Sequence, residues 1–514
     1  VAETIGALIF ASVEAAGATG AAAFGSTVIV GTLTVNAAIG AAAITAASIG
    51  LSYALTSAPN VPSPEAGSQA VKQSIPPRVR GYWVNRLAGA YVLFEADNNT
   101  PNSSYDVIAY HHGEIESVLE VFLHDDSVQT NLDFTNYNTI ITVLGQAGTG
   151  AYEGGGVQIE LLKGRDDQIA TDWLYGDSNI NSIWTSAFRG RGIAALVLKC
   201  TGPADAANYS NVYPRGKPEP SVVAKCSMIL DRRTNVTAAT PNPVVQLIDY
   251  LTGDPDVTGG PGLDYDTTIA PVIDQWHTEA ALCDDIVSGS LRYTSAGWYT
   301  FENKPEDVIG KILSTCDGYL MENGDGTLSL TVGYYREPTE PALTSEHLLG
   351  FSVDYGTADE SKVNQLDVTI TYPAEKYVSI QLNSIRDEDS ISMFGLRSQT
   401  LDLTWVQTVD QASRLAERAM QRLNSTMSGS IVTTLYGFRY FGKRWIRLQY
   451  PIAGLEDCVV EIQTVRTNLL GGQITFEWKL IDPSGYAESI ALPKVYREDG
   501  SFLLRENSAA YTRG

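Results

Sequence analysis

The sequence predicts a mainly β, multidomain protein with α+β elements, preceded by an apolar Ala/Gly-rich N-terminal segment. Three observations predict it. Stretches such as Ser117–Leu123 and Val363–Ile370 alternate apolar and polar residues, the period-two signature of half-buried strands. Glycine turns, Asn323-Gly-Asp-Gly326 and Gly471-Gly472, separate pairs of such stretches as hairpin loops do. At 514 residues the chain is too long for one ordinary core, so about three or four domains are expected.

Taken in order, the first element is residues 1–58. From Ala15 to Pro64 there is no charged residue, and Ala, Gly, Thr, Ile and Val dominate. Two apolar segments, Ile5–Val30 and Leu33–Leu55, are each long enough to cross about 30 Å of hydrocarbon as a helix. Three readings compete. A secretory signal lacks its basic leader, since the first Lys or Arg is Lys72. A membrane-inserting hairpin and a small-residue plug packed on the axis of an oligomer both fit the composition. The chain begins with Val1 rather than Met, so a processed or incomplete terminus is expected. A linker, 59–74, follows: Ser57-Ala-Pro-Asn-Val-Pro-Ser-Pro-Glu65 carries too many prolines to continue a helix.

The body divides into β domains over 75–240, an α/β domain over 241–345, and a β domain over 346–485 covered by a helix over 409–424. A polar tail, 486–514, closes the chain. Asn242 caps and Pro243 opens a helix with Val244, Leu247, Ile248 and Leu251 on one face, stopped by Gly253. Ile269, Val272, Ile273, Trp276 and Ala280 form the stripe of a second. Pro305-Glu-Asp307 opens a third, aligning Val308, Ile309, Ile312 and Cys316 before Gly318. Thr408 with Gln411 reads as the capping box of a fourth, carrying Ala412, Leu415, Ala416, Ala419 and Leu423. No internal sequence repeat is evident.

Chemistry-bearing patterns are sparse. The formal net charge is −24, which disfavours sequence-independent binding to nucleic acid. The nearest approach to a basic patch is Lys443-Arg444 with Arg447. Cys200, Cys226, Cys283, Cys316 and Cys458 are widely spaced in apolar runs with no C-x-x-C, as reduced core thiols are. His111-His112 with His124 and Asp125-Asp126 is the only cluster suggesting a metal, yet adjacent strand residues face opposite ways. Asp166-Asp167 and Arg386-Asp-Glu-Asp389 supply carboxylates of the kind glycoside hydrolysis uses, but such clusters are common in so acidic a chain and a solvated loop is the better reading of each. Tyr436, Phe438, Tyr440, Phe441 and Trp445 read as strand core or subunit contact rather than a sugar platform. H-E-x-x-H, G-x-S-x-G and P-loop motifs do not occur. The expectation is a non-enzyme, with no catalytic, cofactor-binding or metal-ligating residue assigned and no cofactor.

An ordered set of motifs then carries a resemblance. Gly113-Glu-Ile-Glu116 leads to Val118–Val128, with Ser117 where a second glycine is common. Gly216-Lys-Pro-Glu-Pro220 and a strand to Cys226 run to Leu230-Asp-Arg-Arg233. Paired helices, Pro243–Gly253 and Ile269–Cys283, flank Gly259-Gly-Pro-Gly262, and Pro305–Val332 follows. Lys362-Val-Asn364, Arg386–Ile391, Phe394-Gly395 and Gln411-Ala412 complete the order. This order over roughly residues 75–485 resembles the central hub proteins of phage tail tips, the lambda J-like family. Phe441-Gly-Lys-Arg444 stands where that family has a P-G-D turn.

The resemblance implies a structural hub with two related β-domains per chain. It would form a homotrimeric, pseudo-six-fold ring at the distal tip of a long non-contractile (siphophage) tail or baseplate. It implies a virion protein, assembled in the host cytoplasm, that takes part in host cell entry and DNA ejection. The implied partners are further copies of the chain, a distal tail or tail-tube ring protein, the tape-measure C-terminus, and a tail fibre or receptor-binding protein. No specific nucleic-acid binding is implied. Residues 1–58 would act as axial plug or in membrane penetration, through transient contact with the host membrane. With only a short tail after Asp482, a receptor-binding extension is not expected. The alternatives from other classes are a tail-associated peptidoglycan or polysaccharide hydrolase and a membrane-inserting pore component.

Overall fold

The computed structural model describes residues 76–486 apart from 98–99, 101, 147–149, 357–361 and 469. The segment 1–58, the linker 59–74 and nearly all of the tail 486–514 therefore lie outside the described residues. Within them the chain is mainly β, with four helices of ten residues or more. Among the described residues, no helix is long and apolar enough to cross a membrane.

Two antiparallel sheets organise the molecule. The first contains β1 (Ala90–Asp97), β2 (Ser103–His112), β3 (Ile140–Gly145), β4 (Val157–Lys163) and β5 (Ile193–Thr201). The second contains β6 (Leu348–Tyr355), β7 (Met427–Thr434), β8 (Trp445–Tyr450), β9 (Leu455–Asn468) and β10 (Gln473–Leu480). Their spatial orders are β1-β2-β5-β4-β3 and β6-β7-β10-β9-β8. These are the same topology: first, second, fifth, fourth, third. In each sheet a two-residue strand, Gln129–Thr130 or Leu343–Thr344, adds beside the third strand. In each, the pairing of first with second strand is interrupted by a bulge, between Tyr91 and Leu93 and between Leu348 and Gly350. The expectation of two related β-domains is met in the fold, although no sequence repeat announces it.

The first sheet packs one face on a smaller sheet formed by Val84–Leu87, Pro220–Ser227, Ile115–Leu123 and Asp126–Ser127. Their alternate residues, among them Ile108, Val121, Ile159, Leu196 and Val222, make one core. Alternation along Gln365–Tyr372 places Leu366, Val368 and Ile370 inward, while in Ile115–Leu123 a bulge at Leu119 brings both Val118 and Val121 into the core. The Asn323–Gly326 and Gly471-Gly472 turns close hairpins as expected.

Between the sheets lies a helical layer: α1 (Pro243–Thr252), α2 (Ile273–Asp284), α3 (Pro305–Thr315) and α4 (Val409–Leu423). The Asn242 side chain accepts from the Val244 and Val245 amides, so α1 starts where its cap predicts. The second expected stripe is broken. Residues 265–268 make one turn, Ala270–Val272 a 3-10 turn, and α2 begins only at Ile273. Pro271 lacks an amide hydrogen and cannot sit inside a continuous helix. Ile269 and Trp276 nevertheless reach the same core, and Trp276 Nε1 donates to the Leu328 carbonyl at 2.8 Å. The capping box at α4 does not form either. Thr408 makes no cap bond to the helix, while buried Gln411 is drawn off to Thr294 and the Thr315 carbonyl. Gly297 is required for close approach, since a Cβ there would lie 2.1 Å from the Trp405 ring.

A buried ionic cluster ties the helical layer to the second sheet. Arg444 Nε donates to Glu461 Oε1 at 2.7 Å, and its Nη atoms donate to the Asp317 carbonyl and carboxylate. Arg422, on α4, donates to the same two carboxylates and to the Tyr486 hydroxyl. Arg418, one turn earlier, donates to the Gly333 carbonyl and the Tyr293 hydroxyl. Arg444 and Glu461 have 0% exposed side chains, so neither charge is relieved by water. Burial alone would raise the Asp317 and Glu461 carboxyls, but Arg422 and Arg444 outweigh it and hold both below the ordinary carboxylate range.

Removing one partner leaves uncompensated buried charge. Arg444→Met is expected to cost about 3–5 kcal/mol in urea unfolding; a loss under about 1 kcal/mol would contradict the network's structural role. Because both carboxyls are depressed on folding, this stabilisation is present above their unfolded range and is lost as pH falls from there through their lower folded values.

Candidate functional site: two open sheet edges

The duplicated topology leaves the first strand of each sheet, β1 and β6, as an edge with no further strand beside it among the described residues. An open edge offers a row of unpaired backbone donors and acceptors, and soluble proteins ordinarily blunt such edges. Here the bulges aim apolar side chains outward instead. On β1, Val92 and Phe94 are 54% and 55% exposed; on β6, Leu349 and Tyr355 are 55% and 63% exposed. Val92 and Leu349 occupy the bulge of their respective strands. The pairing is therefore one of position as well as topology.

Each edge is held in place by its own polar contacts. Behind β1, Lys217 pairs with the fully buried Asp106 and lies over the Phe94 ring at 4.3 Å. Lys199 pairs with Asp97 at 3.0 Å and donates to the Tyr105 hydroxyl. Beside β6, the Tyr355 hydroxyl donates to the Ala453 carbonyl, next to the strongly exposed Ile452. These bonds fix the strands without closing their outer edges. Sequence reasoning missed all four exposed edge residues. The signal available was only an apolar residue out of phase with strand alternation, which a bulge produces.

The residues singled out in the sequence are not brought together. His111 is buried, its ring nitrogens facing the Ser227 hydroxyl and the Gly113 carbonyl at 3.2 and 3.1 Å. His112 packs edge-on against Phe301 instead. His124 and Asp125-Asp126 lie beyond the opposite end of the strand Ile115–Leu123, roughly 30 Å away along it. Asp125 pairs with Arg86 and Asp126 with Arg215. Asp166-Asp167 is a surface loop in which Asp167 pairs with Arg165. In Arg386–Asp389, Asp387 caps the short helix Glu388–Phe394.

The basic patch is dispersed. Arg444 is buried in the ionic cluster, Lys443 sits 3.5 Å from Glu340, and Arg447 pairs with Asp457 at 3.1 Å. Among the aromatics, Tyr440 and Trp445 are core residues, Tyr436 stacks on His347 at 3.8 Å, and Phe438 is exposed. All five cysteines are free; burial pushes the Cys200 and Cys226 thiols up to about 12.

His111 generates a pH prediction. Burial, with help from Arg80, lowers its pKa from 6.5 to about 3, so it is neutral when folded and protonated first in the unfolded chain. Stability is therefore lost as pH falls below 6.5. His111→Gln is expected to flatten unfolding free energy against pH between 6.5 and about 5, above the carboxylate range. An unchanged slope would contradict the assignment.

No family model and no curated protein matches the chain. Among solved structures, a chain from the virion of a native gene transfer agent particle superposes with a TM-score of 0.54 at 14% identity. The match covers 87% of this chain and 94% of that one. The 43 kDa tail protein of prophage MuSo2 from Shewanella oneidensis gives 0.29 at 9% identity, over 79% of this chain and 99% of that one. A tail protein from Neisseria meningitidis MC58 gives 0.27 at 9%, over 80% and 98%. The last two share too little geometry to bear on the argument. The first likeness is one of fold, and it extends over nearly the whole of both chains.

Proposed function

We propose that this chain is a structural virion protein, the hub of a phage-like tail tip, which closes the tail tube as a homotrimeric ring. The observation that carries the reading is the duplicated sheet. One chain supplies two copies of a single topology, each with the same open, bulged edge strand. Three chains then supply six equivalent edges, so a three-fold object can meet a six-fold tube. Likeness of fold to a chain of a virion particle supports the same reading. The partners follow from position: a tail-tube or distal tail ring protein above, the tape-measure end in the lumen, and fibres or a receptor-binding protein at the rim. A net charge of −24 per chain suits a lumen through which DNA passes without adhering. Its place is the distal tip of the tail.

The test is the mass and the edge dependence of the purified protein. Sedimentation equilibrium is expected to give three times 55.4 kDa. Val92→Asp with Leu349→Asp, both at exposed edge positions, is expected to yield monomer while changing unfolding stability by no more than about 0.5 kcal/mol per site. A monomeric parent protein, or an unaltered trimer in the double variant, would overturn the reading.

A further inference from the structure

A cavity of about 400 Å³ opens beside the ionic cluster, between α4 and β10. Its lining includes Arg418, Arg422, Asn424, Lys479 and Tyr486. Lys479 lies directly across β9 from Glu461, on the face that carries the cluster. Glu461 is already saturated by Arg422 and Arg444, and Asp317 by the same two guanidiniums. The Lys479 ammonium makes no hydrogen bond or ion pair among the described residues. Burial and the Arg422 charge both lower its pKa, with Glu461 opposing. Of the carboxylates nearby, Asp482 at the rim accepts from the Ser484 amide, and Glu417 faces Arg418 and Arg414. With Asp317 and Glu461 held by Arg422 and Arg444, and Glu417 beside Arg418 and Arg414, the Lys479 ammonium is left with no carboxylate bonded to it among the described residues. An unpartnered ammonium group beside the Arg422 charge, in a cavity that Arg418 also lines, is the arrangement an oxyanion satisfies.

We infer that this cavity is an oxyanion site, in which Lys479 with Arg418 receives a carboxylate or phosphate group, and the neighbouring Arg422 charge adds to the attraction. Binding neutralises the Lys479 charge at the seam, so it strengthens the attachment of the second sheet to the helical layer. The group is either a free ion or a carboxylate on a neighbouring subunit, and the two sources are separable.

The experiment is thermal unfolding of the full chain at constant ionic strength, replacing sodium chloride with sodium acetate or sodium phosphate. A saturable rise in Tm is expected for the isolated subunit in acetate or phosphate, abolished in Lys479→Met and retained in Lys479→Arg. A rise that vanishes once the subunits assemble assigns the site to a neighbour's carboxylate. A rise that persists in the assembled form assigns it to a free ion. Equal Tm in all three salts, or an undiminished rise in Lys479→Met, would overturn the inference. Because the readout is made on isolated subunits, it stands or falls independently of the ring.

Discussion

Two buried carboxylates and the arginines that share them hold the second sheet and the helical layer in register. Asp317 follows α3, Arg422 ends α4, Arg444 precedes β8 and Glu461 sits in the middle of β9. No apolar contact could specify that junction so tightly, because hydrophobic burial is non-directional while forked guanidinium bonds are not. Asp317 also adopts a left-handed backbone, φ 48°, which turns the chain from α3 into the hairpin starting at Tyr319. Its carbonyl is the acceptor that Arg444 Nη1 occupies. The cluster therefore sets the local backbone as well as the relation of sheet to helices.

On the proposed reading, that rigidity matters because the two sheets act as a pair. A hub that presents two equivalent edges must keep them at one fixed separation and angle, or the ring will not close. The helical layer is packed tightly, with Trp276, Tyr293 and Leu415 buried, and Tyr82 of the strand Val79–Tyr82 shares its core. Arg80 and the Tyr82 hydroxyl both reach Asp249 on α1, in the ion pair that links the strand Val79–Tyr82 to the helices. Polar links at both ends of an apolar middle give specificity where burial gives stability.

The elements were largely legible in the sequence; the relation between them was not. Period-two stretches, the glycine hairpins and the Asn242-Pro243 cap act locally, so they survive into the structure. Pro271 was equally visible, but its breaking of the Ile269–Ala280 stripe competes with a strong apolar pattern. Thr408 and Gln411 show the converse, a local cap lost because a buried amide is more valuable to Thr294 and Thr315. Lys443, Arg444 and Arg447 look like a surface patch because charge carries no mark of burial. The spacing of Arg414, Arg418 and Arg422 on one helical face was the available clue that guanidiniums point inward. The repeated topology left no trace, since two β-sheets need only matching alternation and turns, which many sequences satisfy.

The central claim is that two sheets of one topology stand as equivalents around a common axis. Electron microscopy of the purified assembly, averaged without imposed symmetry, tests it most directly. The account predicts a ring of three chains in which six sheet domains alternate at near-equal angular spacing, with β1 and β6 in equivalent positions. A ring of six chains, or three chains whose two sheets lie at different radii, would contradict it.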